Sequence, residues 1–524
     1  MINKLMEFWN PPPTHHGSAR LVSARAAGLK QVLPNRISWT LGAAGWRGTS
    51  YGIDTYPTGQ HAAVIGPTRS GKSSTLYLPQ LLSISQWPPF QRPQLVVADP
   101  KHELLALTGS RLKALGYNVH AVIFDDPTLS DNWNPLQGLD GGDLEIDHSA
   151  VWEVVDAIVP QGHEPDPYWI QSARLLLFAS IIGVKYAHGK LASLAEAIAW
   201  AFRPEETLAF LKQRDPSVSF LLGGLMKNLE ENPKALGTIL SELPGRLATW
   251  MAPPLLALYR PTLWDFTRLW SDGDLHAVFI SATPEQQPLA QLAWRQCLSG
   301  LRKAQQSIGR LSRPAWLLLD EIGNLGRIPG LAQGVTTLAG AGVSIMAGLQ
   351  SLAQLTAIYG AAEAEVILSN LPLRVVLPGV DAETGQWMSR HVGIGTVTTT
   401  AKQRAADGSV SWSTSTSARS VLTPDEIGRL DSRSLLVQRL GMSATLLRQR
   451  PYYHVKVWQD VAAVANPSRP RIVEALDEWR HNPLTPPNLA ELAVPLNAMR
   501  GVVEERRKAL RLQRPSPSRS DQPS

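Results

Sequence analysis

Cysteine is almost lacking in this chain of 524 residues, which contains only Cys297. A single cysteine excludes an intramolecular disulfide framework and a cysteine-based zinc cluster, and it is typical of a reducing compartment. Long apolar runs are also lacking, because no window approaches the roughly 20 residues that span a bilayer. The first residues have no apolar centre like that of a signal peptide. These absences predict a cytoplasmic chain with no transmembrane segment of its own.

The chain also lacks a large excess of charge of one sign, because its formal net charge is only +6. Charged residues make up 18% of the chain. Hydrophobic residues make up 44%, which is the balance of a globular protein rather than a disordered one. The length is sufficient for two or three domains. The small basic excess favours an acidic partner such as nucleic acid or anionic lipid.

The most specific motif is a phosphate-binding loop that matches G-x-x-x-x-G-K-[ST] without a gap. The residues predicted to bind a nucleotide are Gly66, Pro67, Thr68, Arg69, Ser70, Gly71, Lys72, Ser73 and Ser74. In such a loop the backbone N–H groups point at phosphate oxygens, the lysine reaches the β- and γ-phosphates, and the hydroxyl after it holds Mg²⁺. An apolar strand pattern precedes the loop and a helix pattern follows it. This context favours a nucleotide site over a fortuitous glycine-rich turn, so ATP and Mg²⁺ are the expected cofactors.

Hydrolysis requires a carboxylate site in addition to the loop. Asp320 and Glu321 follow the apolar run of residues 315–319, as expected for a strand that ends beside the phosphates. The first carboxylate would hold the Mg²⁺ shell, and the second would polarise the attacking water. By itself this pattern is equally well explained as a strand that ends in a solvated turn. Together with the loop, it predicts that Glu321 and Lys72 are catalytic and that Ser73 and Asp320 bind the metal.

Gln350 ends another predicted strand, residues 343–349. An amide at that position can sense the γ-phosphate, although a glutamine at the end of a strand is more often a plain surface residue. Further apolar runs begin at residues 94, 119, 275, 373 and 434. They are continuous rather than alternating, which is typical of a parallel sheet that is buried on both faces. The sequence therefore predicts an α/β fold with a P-loop core.

Several motifs together resemble the type IV coupling proteins, the TraG/TraD-like ATPases of conjugation and type IV secretion. These motifs, in chain order, are HGSAR (16–20), GPTRSGKS, VVADPKHEL, WNPL (133–136), DEIGNLGRIP, GLQSLAQL and LTPDEI. The resemblance extends from about residue 15 to about residue 455. It implies a RecA-like, homo-hexameric motor that delivers single-stranded DNA, or a relaxase–DNA complex, to secretion channel components at the inner membrane. This chain would then be peripheral at the inner face of the cell membrane.

Three departures from the family pattern are visible. Family members usually begin with two transmembrane helices, whereas this chain starts almost directly at HGSAR. Many relatives carry an arginine within the segment that corresponds to residues 339–342, which here reads AGAG. Arg374 or Arg327 is the hypothesised substitute that reaches a neighbouring γ-phosphate. His102 replaces the glycine of the family's Asp-Pro-Lys-Gly-Glu, and no chemistry is assigned to Asp99 or Lys101.

The chain is predicted to have five segments. They are an N-terminal segment without transmembrane helices (1–50), a first part of the nucleotide-binding domain (51–147), an inserted all-α domain (148–262), a second part of the nucleotide-binding domain (263–465), and a helical, then disordered and basic tail (466–524). Within the inserted domain, Ser193 and Glu196 have capping-box spacing. Trp152 and Arg174 are among the candidates for substrate contact there, against the commoner role of core packing.

The polar segment 393–422 is a candidate hairpin, because Asp407-Gly408 is a typical hairpin turn. Its Lys402, Arg404 and Trp412 would suit contact with single strands, but an inert surface loop is the more common explanation. For the whole chain, the leading function is an ATP-driven DNA translocase. The alternatives are an ATPase that recruits protein effectors for type IV secretion, and a nucleotide-dependent scaffold with little turnover.

Overall fold

The computed structural model describes residues 16–33, 37–44, 48–139, 145–161, 167–215, 218, 222–225, 227, 233–262, 264–404 and 410–462. The chain divides into two compact units. Of the described residues, the first unit contains those up to Ala121, Trp270–Gln287 and those from Leu298 to Ala462, and the second contains those of Val122–Leu269 and Pro288–Cys297. The five segments proposed from the sequence remain a prediction. The predicted helical and basic tail, and the Asp407-Gly408 turn, lie outside the described residues.

The strands belong to one large sheet and one two-stranded ribbon. In chain order they are β1 (Lys30–Gln31), β2 (Ser38–Ala44), β3 (Thr49–Asp54), β4 (His61–Ile65), β5 (Gln94–Ala98), β6 (Tyr117–Ile123), β7 (Leu275–Ser281), β8 (Ala315–Leu319), β9 (Val343–Leu349), β10 (Leu373–Val376), β11 (Ile394–Arg404), β12 (Val410–Ser420), β13 (Ser434–Arg439) and β14 (Thr445–Arg448). In the part of the chain that the structure describes, the sheet has 12 strands in the order β1-β3-β2-β14-β13-β10-β4-β9-β8-β5-β7-β6. The ribbon is formed by β11 and β12.

The helices are numbered in chain order as well. They are α1 (Leu78–Ser83), α2 (Glu103–Ala114), α3 (His148–Ile158), α4 (Pro167–His188), α5 (Leu194–Ala201), α6 (Pro204–Arg214), α7 (Pro233–Leu247), α8 (Pro253–Leu258), α9 (Gln287–Ile308), α10 (Ile322–Leu325), α11 (Leu331–Thr337), α12 (Leu352–Tyr359), α13 (Ala361–Ser369), α14 (Ala382–Val392), α15 (Pro424–Gly428) and α16 (Lys456–Ala462). A π-helical turn, Ser73–Tyr77, leads into α1.

The centre of the sheet is parallel. Strands β10, β4, β9, β8, β5 and β7 lie side by side in this order, and each consecutive pair among them is parallel. Every residue of β4, β5, β8 and β9 is buried, as expected for strands covered on both faces. The prediction of a mostly parallel core is therefore confirmed.

One edge of the sheet corrects the sequence-based prediction. The run at residue 434 was expected to join the parallel sheet, but β13 is antiparallel to both β10 and β14. Strands β2 and β3 were not predicted, and they form an antiparallel pair with a register shift between Thr40 and Gly42. Ser38, Thr40 and Gly42 occur within the buried strand β2, so it lacks the continuous apolar pattern of the central strands.

The second unit contains helices α3 to α8. Its predicted capping box is present, because the Ser193 hydroxyl accepts from the Glu196 N–H and the Glu196 carboxylate accepts from the Ser193 N–H. Helix α5 ends at Ala201, and Pro204 begins α6. Proline is favoured at a first helical position because the N–H that it lacks would have no partner there.

Two candidate substrate contacts in this unit have packing roles. Arg174 is 5% exposed and donates to the Asp156 carboxylate and to the Val159 carbonyl. Trp152 stacks on Phe178 with the ring centroids 4.6 Å apart. The commoner explanation, that these side chains pack within the unit, therefore fits both residues.

Among the described residues, one helical segment is long and apolar enough to cross a membrane. It spans residues 168–191, with a mean hydropathy of 1.2, and 78% of the window is buried within the protein. A core helix of a soluble domain has the same length and composition, so the segment is weak evidence for a membrane span.

Candidate functional site

The phosphate loop begins where β4 ends, at Ile65. The Gly66 N–H donates to the Leu349 carbonyl at 3.1 Å, and a Cβ on Gly66 would lie 2.8 Å from the Ser70 hydroxyl. Arg69 and Gly71 have φ values of 65° and 94°, which lie in the left-handed region that favours glycine. The loop is therefore a tight turn, and its first glycine is required by close contact within the turn.

Lys72 lies inside this turn. It is 8% exposed, and its Nζ donates to the carbonyls of Gly66 at 2.5 Å and Pro67 at 3.0 Å. Burial lowers the pKa of Lys72, and the negative charges of Glu321 and Asp320 oppose that shift. A cationic amine surrounded by loop carbonyls and close to two carboxylates can exchange the carbonyls for phosphate oxygens.

Ser73 and Asp320 lie in direct contact, although they are 247 positions apart in the chain. The Ser73 hydroxyl donates to Asp320 Oδ2 at 2.6 Å. Burial is the main reason that the pKa of Asp320 is raised to about 6. Its second oxygen, Oδ1, is buried and has no hydrogen-bond partner among the described residues. A serine hydroxyl and a carboxylate with an unsatisfied oxygen are the ligands that Mg²⁺ prefers, so these residues fit the predicted metal site.

Glu321 and Gln350 also meet. The Gln350 amide donates to Glu321 Oε1, and the Gln350 N–H donates to Gln354 Oε1 at 3.3 Å. This contact follows from the sheet, because β8 and β9 are parallel neighbours with Leu319 opposite Ala347. The residues after the two strands therefore emerge side by side. The structure brings together all the residues predicted for catalysis and metal binding.

Sequence reasoning missed the residues that support these groups. The buried Tyr77 hydroxyl donates to the Leu319 carbonyl at 3.0 Å, directly before Asp320. Thr75 donates to Gln449 Oε1 at 3.2 Å, which connects the helix after the loop to the residue that follows β14. A Cβ on Gly348 would lie only 2.2 Å from the Asp320 carbonyl. A tyrosine or a glycine in these positions has no distinctive local pattern, so no sequence signal could have identified them.

Asp99 has a structural role in the DPKHE motif. Its buried carboxylate accepts from the N–H groups of Leu104 at 3.2 Å and Leu105 at 2.8 Å, and it thereby satisfies donors in the first turn of α2. His102 has φ 59°, a left-handed conformation that glycine adopts at lower cost. This explains physically why a glycine suits this position of the motif.

The two hypothesised arginine fingers have different environments. Arg374 is 4% exposed, and its guanidinium lies 4.7 Å from the centre of the Trp387 ring. In this structure the Arg374 side chain is enclosed rather than extended toward another molecule, and the Arg374 hypothesis stays a prediction. Arg327 has an exposed side chain that pairs with Glu363 at 2.6 Å.

A parallel sheet core with a phosphate loop after β4, a carboxylate pair after β8 and an amide after β9 defines a RecA-like P-loop NTPase. The chain belongs to the type IV secretory system conjugative DNA transfer family, whose model matches residues 22–473.

Two relatives and one solved structure illustrate the similarity. The chain is 25% identical over 460 residues to protein VirD4 of Agrobacterium fabrum, covering 84% of this chain and 66% of that protein. It is 25% identical over 510 residues to a conjugal transfer protein TraG of Escherichia coli, covering 86% and 78%. The structure of the bacterial conjugative coupling protein TrwB in complex with sulphate gives a TM-score of 0.59 at 19% identity, covering 88% of this chain and 98% of that one. This chain thus spans just under two thirds of the VirD4 protein.

Proposed function

We propose that this protein is an ATP-driven coupling protein that translocates single-stranded DNA, or a relaxase–DNA complex, to a type IV secretion or conjugation channel. The observation that carries the proposal is the contact between Ser73 and Asp320, with Lys72 and the Glu321–Gln350 pair beside it. This arrangement suits hydrolysis of a nucleoside triphosphate. Membership of the conjugative DNA transfer family supports DNA as the cargo. A solved structure of TrwB is a complex with ADP and Mg²⁺, which supports ATP as the nucleotide.

Each site residue has a proposed role. The N–H groups of residues 66–74 would bind the phosphates, and Lys72 would pair with the β- and γ-phosphates. Ser73 and Asp320 would hold Mg²⁺, which neutralises charge on the phosphate oxygens. Glu321 would polarise the attacking water, and its hydrogen bond from Gln350 orients the carboxylate. Because that amide lies two residues before the start of α12, loss of the γ-phosphate could be transmitted to the helix.

The assembly is also part of the proposal. The working form would be a homo-hexamer in the cytoplasm, peripheral at the inner face of the membrane, in contact with channel components. Arg327, which is exposed, would be the residue that reaches a neighbouring subunit's γ-phosphate. Measuring the mass in solution, with and without an ATP analogue and single-stranded DNA, tests the oligomer.

The central test is ATP turnover with Mg²⁺, with and without single-stranded DNA. We expect DNA to stimulate turnover and Lys72→Ala to abolish it, because the variant loses the cation that pairs with the transferred phosphate. Lys113→Ala, which removes an exposed lysine of α2, is the matched control and should keep wild-type turnover. Turnover that is the same with and without DNA would contradict a DNA motor.

A further inference from the structure

The two-stranded ribbon, β11 and β12, has two chemically different faces. The strands pair antiparallel in eleven steps from Ile394↔Ser420 to Arg404↔Val410, and nearly all of their residues are exposed. Because side chains alternate along a strand, the even-numbered residues share one face, which we call the threonine face. The described members of the threonine face are Ile394, Thr396, Thr398, Thr400, Lys402, Arg404, Val410, Trp412, Thr414, Thr416, Ala418 and Ser420. The other face carries mostly serine, alanine and glycine.

An aromatic residue and a cation lie opposite each other on the outer half of the threonine face. Lys402 is the register partner of Trp412, and its Nζ lies 5.4 Å from the centre of the indole ring. Trp412 remains 64% exposed. Arg404 lies two residues further along the same face. An exposed tryptophan held by a neighbouring cation is a platform on which a planar ring can stack.

The charge of the ribbon has one sign. Its two strands contain Lys402, Arg404 and Arg419, and neither strand contains an aspartate or glutamate. Arg419 lies on the other face and pairs with Glu426 at 2.6 Å. Lys402 and Arg404 lie on the threonine face, next to Trp412, and among the described residues neither forms an ion pair. The electrostatic complement of this face is a polyanion.

The base of the ribbon is fixed to the first unit. The Ala19 N–H donates to the Ile394 carbonyl at 3.1 Å, and the Thr396 N–H donates to the Gly17 carbonyl at 3.1 Å. A Cβ on Gly17 would lie 2.2 Å from the Ile394 carbonyl oxygen. Part of the HGSAR motif thus pairs with the base of the ribbon and attaches it to the first unit.

A short hydrogen-bonded path connects the base of the ribbon with the proposed γ-phosphate sensor. Gln350 is followed by α12, whose first N–H, that of Leu352, donates to the Thr384 hydroxyl at 3.3 Å. Thr384 belongs to α14, which ends at Val392, and β11 begins two residues later. These contacts connect the strand end at Gln350 with the helix that carries the ribbon.

We propose that the threonine face binds single-stranded DNA, with a base stacked on Trp412 and phosphates paired with Lys402 and Arg404. This inference rests on the proposed function and adds the contact surface to it. Stacking requires an unpaired base, which favours a single strand over a duplex. The threonine hydroxyls along the same face can donate to phosphate oxygens.

The test is the binding of fluorescently labelled oligo(dT) to the full chain, measured by anisotropy with an ATP analogue and Mg²⁺. Trp412→Ala should weaken binding about tenfold, because one stacking contact is lost. Lys402→Ala combined with Arg404→Ala should reduce the slope of log affinity against log salt by about 1.4, or about 0.7 for each phosphate contact. The matched control is Gln403→Ala, which lies between the two cations but on the other face, and it should bind like the wild type. Thermal unfolding verifies that each variant is folded.

Three outcomes would overturn the inference. The first is equal binding by Trp412→Ala and Gln403→Ala. The second is a loss of affinity of Trp412→Ala for labelled duplex DNA that equals its loss for oligo(dT), which would indicate a general phosphate contact rather than stacking on an unpaired base. The third is a smaller mass of Trp412→Ala without DNA, which would indicate a contact between subunits. If the wild type is stimulated by DNA while these variants bind normally, only the ribbon inference fails; if the wild type neither binds DNA nor responds to it, the proposed function fails as well.

Discussion

Asp320→Asn is expected to stabilise the protein and to abolish magnesium-dependent ATP hydrolysis. The carboxylate is 8% exposed, and burial raises its pKa from 3.8 to about 6. A carboxyl group with a raised pKa binds its proton more tightly in the folded state than in the unfolded state. Protonation of Asp320 therefore increases the free energy of unfolding as the pH falls, and this stabilisation is lost as the pH rises through about 6.

The size of the effect follows from that shift. At pH 7 the charged carboxylate costs up to about 3 kcal/mol relative to its neutral form, at about 1.36 kcal/mol per pKa unit. An asparagine is neutral at every pH and can still accept the Ser73 hydrogen bond, although a buried amide N–H without a partner costs about 1–3 kcal/mol. That cost is independent of pH. The stability advantage of the variant should therefore shrink by about 1.3 kcal/mol between pH 7 and pH 5, because the wild-type carboxyl group becomes neutral itself.

The assay is urea unfolding of both proteins at pH 7, 6 and 5, together with ATP turnover at pH 7. Glu321→Gln is the matched control, because it neutralises the adjacent carboxylate, which is half-buried and bonded to Gln350. We expect the control to bind nucleotide but not to hydrolyse it, and to gain much less stability than Asp320→Asn. A stability difference between Asp320→Asn and the wild type that stays constant from pH 7 to pH 5 would refute the reasoning.

Three further substitutions test the packing around the site. Gly348→Ala places a Cβ 2.2 Å from the Asp320 carbonyl, so it should cost about 1–3 kcal/mol of stability and weaken nucleotide binding. The control is Gly340→Ala, whose Cβ meets nothing within 4 Å and which should change neither property. Calorimetry measures the stability, and a binding assay measures the affinity for nucleotide. Burial lowers the pKa of His61 to about 4, so acidification from pH 7 to pH 5 should destabilise the wild type by about 2 kcal/mol relative to His61→Asn in urea unfolding; equal pH profiles would contradict this. His102→Gly should be about 1 kcal/mol more stable than His102→Ala, since only glycine adopts φ 59° without steric cost, and equal melting temperatures would count against a strained backbone there.

The central strands could be predicted because their pattern is local and strong. A strand covered on both faces needs apolar residues at every position, so β5, β7, β8 and β9 are evident as continuous runs. The strands at the antiparallel edge were harder to predict. In β14, buried and exposed residues alternate over only four positions, and β13 is indistinguishable by composition from a parallel strand. Strand direction depends on the chain path outside the strand, which no local pattern records.

The ribbon shows the same limit in another way. Its strands bury almost nothing, so their sequence carries no apolar alternation, and a surface loop was the more common explanation. In the structure, the two strands form a ribbon through backbone pairing alone. Its base is held by Gly17 and Ala19, which are almost 380 residues away in the chain, and no local sequence pattern could indicate that contact.

The sequence by itself determined the phosphate loop and the chemistry that it serves. Eight consecutive residues form a turn whose backbone and lysine can hold phosphates, because the contacts of Lys72 with the Gly66 and Pro67 carbonyls are within the turn. Only the tertiary structure decided that Asp320 lies against Ser73 and that Gln350 lies against Glu321. These contacts depend on which strands are neighbours in the sheet, and that order arises from packing of the whole chain. They also depend on Tyr77 and Gly348, whose importance comes entirely from what surrounds them.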